Sequence, residues 1–292
     1  MGTNLYKHSK QGELLLRKLC SGNRLGIEIL SLDRGPGIRE MNKCMEDGYS
    51  TTGTKGNGLG SIKRLSMVFD IYSTAQGTVI VSQTWNSLPS SNDRSLELAA
   101  ICIPYPGETL CGDAWSSNSS NASHTLMVAD GLGHGKEAAE AADLAVSLFE
   151  ENIELPPPLL LQKMHGALRS TRGAAITVVQ LNVQTRKIIC SGIGNVSSGC
   201  ITGENSKSFV SLNGTVGHQA QRFQEFTYEW TPSSLLFFHS DGLQTRWKFD
   251  GYPGLKSRHP SLIAGVLYRD YRRGTDDVTV VVARENSSGT FA

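Results

Sequence analysis

Aspartates recur at the ends of apolar runs. Thr125-Leu-Met-Val-Ala-Asp130-Gly131 and Leu235-Leu-Phe-Phe-His-Ser-Asp241-Gly242 share one design, an apolar stretch closed by Asp-Gly. Asp276-Asp277 directly precedes the run Val278-Thr-Val-Val-Val282, and Asp113 sits in Leu110-Cys-Gly-Asp-Ala-Trp115. Carboxylates at strand ends converge with little freedom left to lose. Hard divalent cations such as Mg²⁺ or Mn²⁺ prefer oxygen ligands and keep several waters. Four acids and a backbone carbonyl suit a binuclear site with ions about 3.5–4 Å apart. Each Asp-Gly alone reads as a hairpin turn, because Gly tolerates positive φ. Asp276-Asp277 alone reads equally as an exposed strand start. The chemistry lies in the set and its order.

A second group lies near the start of the chain. Asp33-Arg34-Gly35-Pro36-Gly37 is followed by Gly53-Thr-Lys-Gly56-Asn-Gly58-Leu-Gly60, which opens a segment with Leu59, Ile62, Leu65 and Phe69 on one helical face. Free N–H groups and the helix dipole at such a start both favour phosphate. An Asp beside close-packed glycines can accept from an adenine amino group while the backbone approaches the ring. The competing reading of Asp33 is a turn residue at a hairpin end.

These residues need strands to hold them. Glu13–Cys20 and Gly26–Asp33 read as a hairpin about Ser21-Gly22-Asn23, with further strands at Asp70–Ser73 and Gly77–Thr84. Asn86–Asp93 has linker composition. Beyond it, strands are expected at Thr125–Ala129, Ala175–Leu181, Ile188–Ser191, Ser234–His239 and Val278–Ala283, with helices at Lys136–Glu150 and Leu159–Ser170. The expected organisation is a first domain over 1–85, a linker over 86–94, a second domain over 95–286 and a tail over 287–292, in the α+β class.

Bulk properties fit that organisation. The 292 residues suffice for two cores. Net charge is +1, from 28 basic and 27 acidic residues, which gives no support to a nucleic-acid surface. Cys20, Cys44, Cys102, Cys111, Cys190 and Cys200 form no Cys-x-x-Cys pair and read as reduced, small buried hydrophobes. No apolar run has the roughly 20 residues of a membrane span, and MGTNLYKHSK lacks a signal-peptide core. A cytoplasmic protein with no membrane or nucleic-acid partner is expected.

Gly112-Asp113, Val128-Ala-Asp-Gly-Leu-Gly-His-Gly135, Ser240-Asp-Gly242 and Asp276-Asp-Val-Thr279 together resemble the SpoIIE-type branch of the metal-dependent type 2C protein phosphatases, over roughly Leu98 to Arg284. Thr171-Arg-Gly-Ala-Ala175 and Asn213-Gly-Thr-Val-Gly217 fit the phosphatases of bacterial stress signalling. The resemblance implies an αββα sandwich and two Mn²⁺ or Mg²⁺ ions. It places Asp130 between both metals, the Gly131 carbonyl on one of them, Asp113 on that same metal directly or through water, and Asp241 and Asp276 on the other, with Asp277 the alternative to Asp276. It implies hydrolysis of phosphoserine or phosphothreonine by activated water, with no phosphoenzyme. The substrate it implies is a phosphorylated anti-anti-sigma-like (STAS-type) regulator. Where the superfamily has a His directly after Asp-Gly, this chain has Leu132; His134 is the substitute acid, against a reading as a turn residue at the helix entry. No phosphate-gripping Arg stands in Pro104–Leu110.

The first domain, with Asn4-Leu-Tyr-Lys-His8, resembles the GHKL (Bergerat) ATPases, specifically anti-sigma-factor kinases. That resemblance implies an α/β sandwich binding ATP and Mg²⁺. Asn4 would hold Mg²⁺, Lys7 would lie near phosphate, Asp33, Gly35 and Gly37 would read adenine, and Gly56, Gly58 and Gly60 would form the lid. The family's Glu four residues before this Asn has no counterpart in the sequence given, so an N-terminally incomplete domain with weak or absent kinase activity is expected. The alternatives to the enzyme are a non-catalytic anti-sigma-type binding protein and a bifunctional kinase–phosphatase.

Overall fold

The structure is a computed structural model that describes residues 1–2, 5–6, 9, 11–38, 40–44, 58–87, 96–120 and 123–285. Asn4, Lys7, Gly56, most of the expected linker and the expected tail lie outside the described residues. The chain divides into two compact units: Met1–Asp93 with Lys248–Arg269, and Arg94–Trp247 with Asp270–Ala292.

In the first unit, β1 (Gly12–Ser21) and β2 (Arg24–Asp33) form a hairpin whose turn residue Gly22 has φ 56. With β3 (Val68–Thr74) and β4 (Gly77–Trp85) they make an antiparallel sheet in the order β1-β2-β4-β3. A one-turn helix α1 (Met41–Cys44) precedes α2 (Gly58–Leu65), whose Leu59 packs with Ile71 and Ile80 on one sheet face. Phe69, expected on that helix, belongs to β3 because the helix stops at Leu65.

The opposite face receives α5 (Pro260–Tyr271). A Cβ at Gly265 would lie 2.9 Å from Val79 Cγ1 and 3.1 Å from Leu30 Cδ2, so the missing side chain is what lets the helix approach the strands. Polar ties fix its register. Ser261 Oγ donates to Glu28 Oε2 at 2.5 Å, Tyr268 OH to Glu13 Oε2 at 3.0 Å, and Arg269 Nη1 to the Asp33 carbonyl at 3.2 Å. Buried Glu28 also accepts from Gln83 Nε2 at 2.8 Å and pairs with Arg17 at 3.0 Å. Its charge is therefore compensated, as a buried carboxylate requires. Residues Pro260–Arg269 are buried throughout. A helix apolar on all sides carries no stripe in its sequence, which is why no helix was expected there.

The second unit holds two five-stranded antiparallel sheets. One has the order β11-β10-β13-β14-β5, from β5 (Leu96–Ile103), β10 (Ser197–Thr202), β11 (Asn205–Ser208), β13 (Leu235–His239) and β14 (Val278–Glu285). The other has the order β12-β9-β8-β7-β6, from β6 (Asp113–Ser119), β7 (Ser123–Gly131), β8 (Ala174–Asn182), β9 (Lys187–Ile193) and β12 (Phe226–Glu229). Leu236, Phe238, Val281 and Ala283 from the first meet Leu126, Val128, Val179 and Ile188 from the second in one buried core. On the second sheet's other face, Met127, Ile176 and Val178 pack against Ala142, Ala145 and Phe149 of α3 (Lys136–Glu151) and Leu160 and Met164 of α4 (Pro157–Ala167). Alternation along β7 thus sends Val128 to one core and Met127 to the other. The expected sandwich places a further helix outside the first sheet, in a continuous 95–286 unit. The helix in that stretch of chain, α5, groups instead with the first unit, along with the rest of Lys248–Arg269.

Candidate active site

The ends of β6, β7, β13 and β14 bring the acids together. Asp113 begins β6 and pairs in register with Asp130 near the end of β7. Gly131 follows, its N–H donating to the Gly112 carbonyl at 2.9 Å. A Cβ on Gly131 would fall 2.2 Å from the Ala138 carbonyl oxygen, so this position demands glycine for space. Asp241 follows β13, and Asp276-Asp277 leads into β14, the strand paired with β13.

Buried Ser240 connects the two sheets' contributions. Its hydroxyl donates to Asp113 Oδ2 at 2.6 Å and accepts from the Thr279 N–H at 2.9 Å, while the Ser240 N–H donates to the Thr279 carbonyl at 3.1 Å. Asn195 Nδ2 donates to Asp241 Oδ2 at 2.8 Å. The two neighbours at 276 and 277 differ. Asp277 is buried, with Oδ1 taken by the Tyr105 N–H at 2.8 Å; Asp276 is more open, its Oδ1 accepting the Asp277 N–H at 2.9 Å.

Electrostatics show that these carboxylates crowd one another. Burial, then the charges of Asp113, Asp241 and Asp276, push Asp130 up to about 9. Burial raises Asp113 to about 7, opposed by hydrogen bonds from Ser240 and Thr279 and reinforced by Asp277 and Asp276. Asp276 is raised by burial first, with Asp241 and Asp277 adding to it and His134 opposing. Among the described residues Asp130 Oδ2 is buried with no hydrogen-bond donor. A bare buried carboxylate oxygen is costly unless a proton or cation sits on it. The residues therefore fit divalent cations. Among the described residues no group of three or more His, Cys, Asp or Glu side chains is drawn together closely enough to hold a metal ion by itself. Mg²⁺, which keeps several waters and takes one or two carboxylates, needs no such group.

His134 lies in the loop between β7 and α3, where Gly133 and Gly135 have φ of 86 and 75. Its ring stacks on Tyr105 (centroids 4.3 Å, planes 12° apart), and Nδ1 meets Glu108 Oε1 at 3.1 Å. A carboxylate accepts only, so Nδ1 carries the proton and Nε2 points elsewhere. Arg172 stands beside the same loop, 3.0 Å from where a Gly133 Cβ would lie, and pairs with Glu137 at 2.5 Å. The sequence reading missed Ser240, Asn195, Tyr105 and Glu108. Ser240 alone had a signal, its place beside Asp241; the others meet the site only through folding.

In the first unit, Asp33 Oδ1 accepts from the Gly35 N–H at 2.7 Å and the Thr78 N–H at 3.1 Å. Asp33 closes its own turn and ties it to β4. Gly37, at φ 73, passes so close to β3 that a Cβ would sit 2.0 Å from the Thr74 carbonyl oxygen. Gly58 and Gly60 lie in the first turn of α2, Gly60 buried.

Comparison with known proteins bears on the family and the fold. The model of the family Stage II sporulation protein E (SpoIIE) matches residues 120–286, more than half of the chain, and the chain belongs to that family. It is 25% identical over 139 residues to the phosphoserine phosphatase RsbX of Bacillus subtilis (strain 168), covering 47% of this chain and 69% of RsbX. A crystal structure of RsbX in complex with magnesium superposes with a TM-score of 0.58 at 20% identity, covering 65% of this chain and 96% of that one. The PP2C phosphatase domain of Bacillus subtilis SpoIIE with a fragment of its regulatory domain gives 0.56 at 17% identity, covering 94% and 82%. Family membership and the phosphoserine phosphatase relative make this a serine/threonine protein phosphatase, and its fold is that of PP2C phosphatase domains. The serine/threonine-protein kinase RsbT of the same Bacillus subtilis strain is 36% identical over 86 residues, 29% of this chain; the chain spans 65% of RsbT's length. Among the described residues no helix is long and apolar enough to cross a membrane.

Proposed function

We propose that this protein removes phosphate from a phosphoserine or phosphothreonine of a STAS-type regulator in a bacterial partner-switching pathway, with a fused ATP-binding domain that regulates it. The observation that carries the catalytic reading is the facing pair Asp113–Asp130 with Asp130 Oδ2 buried and bare. In this reading Asp113, Asp130, the Gly131 carbonyl, Asp241 and Asp276 would together hold two Mg²⁺ or Mn²⁺ ions, with Asp130 common to both, the Gly131 carbonyl and Asp113 serving one and Asp241 and Asp276 the other. Bound ions of this kind supply charge neutralisation at the phosphoryl oxygens and acidify water.

The chain's own residues supply positioning and a proton. Ser240 orients Asp113, and Asn195 orients Asp241. Asp276, the more open of the two neighbours, is taken as the ligand; Asp277, whose Oδ2 is buried without a hydrogen-bond donor, is the alternative. His134, held by Glu108 and Tyr105, is the residue positioned to protonate the departing seryl oxygen from Nε2. Likeness to RsbX and its magnesium complex supports the metal and the phosphoserine chemistry. Likeness to RsbT supports the nucleotide-binding reading of Asp33, Gly35, Gly37, Gly58 and Gly60, together with Asn4, Lys7 and Gly56. Hydrolysis of an aryl phosphate and a phosphoserine peptide with and without Mn²⁺ tests the catalytic half. Equal rates for the wild type and Asp130→Ala would leave a non-catalytic binding protein as the better reading.

A further inference from the structure

Two of the six thiols, read from sequence as separate small hydrophobes, are neighbours in the second unit. Cys102 near the end of β5 and Cys111 just before β6 bring their sulfurs to 3.4 Å, both half-buried and both reduced. Cys102 Sγ also lies 3.3 Å from the Asp113 carbonyl oxygen. The loop between the two thiols carries Tyr105 and Glu108, the residues that stack on His134 and bond its Nδ1. The Tyr105 N–H, in turn, holds Asp277. Asp113 is two residues beyond Cys111.

We propose that Cys102 and Cys111 form a reversible disulfide on exposure to hydrogen peroxide, and that this oxidation slows the phosphatase. The reaction balances in two steps. One cysteine sulfur attacks the peroxide oxygen as its S–H proton passes to the departing hydroxide, giving a sulfenic acid and water; the second thiol then attacks the sulfenic sulfur, forming the S–S bond with loss of another water. Two thiols are oxidised by two electrons, and one peroxide is reduced to two waters. A thiol or dithiol reductant reverses it by exchange. The sulfurs must close from 3.4 Å to about 2.05 Å. That displacement falls on the short chain leading to Asp113 and on the loop carrying Glu108. Misplacement of about 1 Å can cost up to ~10²-fold in rate, so about tenfold is the expected loss. The inference concerns the regulation of the phosphatase site and rests on that reading.

The test treats the full chain, with Mg²⁺ as the metal, with hydrogen peroxide and then dithiothreitol. Intact mass, peptide mapping and phosphoserine-peptide hydrolysis are followed together. The expected result is a 102–111 crosslink in the peptide map and a rate loss of about tenfold that dithiothreitol restores. Cys102→Ser and Cys111→Ala should keep the reduced rate and resist peroxide, whereas Cys20→Ser should behave as wild type. Two outcomes overturn the proposal: exposed Cys20 oxidises while the pair stays reduced, or the crosslink forms with the rate unchanged. A reduced wild-type chain with no metal-dependent hydrolysis would sink the phosphatase reading itself, a different failure.

Discussion

Asp130→Asn should move stability and activity in opposite directions. An unfolded chain titrates this carboxyl near 3.8, whereas in the metal-free fold it is pushed to about 9 by burial and by the charges of Asp113, Asp241 and Asp276. A folded value above the unfolded one means the fold holds the proton longer. The contribution of this group to stability is therefore fully present below about pH 4 and is lost as pH rises towards 9. About three pH units separate 3.8 from pH 7, at about 1.4 kcal/mol each, so the site costs the metal-free protein roughly 4 kcal/mol at neutrality. Asparagine cannot ionise and keeps the shape. In EDTA at pH 7 the variant should gain about 2–4 kcal/mol, less at pH 5 and more at pH 8, read from urea midpoints followed by circular dichroism. With Mn²⁺ the wild type should recover its deficit by ligand linkage, and the variant should not. Hydrolysis should fall about 10³-fold, equivalent to about 4 kcal/mol of transition-state stabilisation. Equal or lower stability of Asp130→Asn in EDTA at pH 8 would refute the account of crowded carboxylates.

Other substitutions probe single contacts. Ser240→Ala strips the Asp113 Oδ2 bond and leaves the buried Thr279 N–H without its partner, which should cost about 2–4 kcal/mol and raise the Mn²⁺ needed for half-maximal rate. Glu108→Gln should slow phosphoserine-peptide hydrolysis about tenfold and leave p-nitrophenyl phosphate nearly unaffected, because an acidic phenol leaves without a proton. Equal effects on both substrates would remove His134 from the acid role. Gly131→Ala should abolish activity and lower the melting temperature, since its Cβ has 2.2 Å to the Ala138 oxygen. In the first unit, Glu28→Ala leaves Arg17 and Gln83 without their carboxylate beneath α5 and should cost about 3 kcal/mol, measurable as a lower melting temperature.

What could be read from the sequence followed from how local each signal is. The hairpin β1–β2 and the strands leading to Asp130 and Asp241 carry apolar runs with turn residues beside them, and they formed as expected. The helix α3 shows its Ala138, Ala141 and Ala145 stripe openly. By contrast, α5 is buried all round, so its near-continuous apolar sequence has no period to detect. Strands β10 and β11 are rich in Ser, Gly and Asn and owe their form to pairing with neighbours. The order of the acids was visible, while their supports were less so. Glu108 reaches His134 across 26 residues and Asn195 reaches Asp241 across 46, separations that no local spacing encodes.

Counting bound metal tests the two-ion site most directly. Mn²⁺ titration of the full chain, by calorimetry and by the loss of the free-ion electron paramagnetic resonance signal, should give two ions per wild-type chain. Asp241→Asn and Asp276→Asn should each retain one, Asp277→Asn should retain both, and Asp130→Asn should hold neither. Wild-type protein that binds no Mn²⁺, or an Asp130→Asn variant that still binds two, would contradict the assignment of these aspartates as a shared binuclear centre.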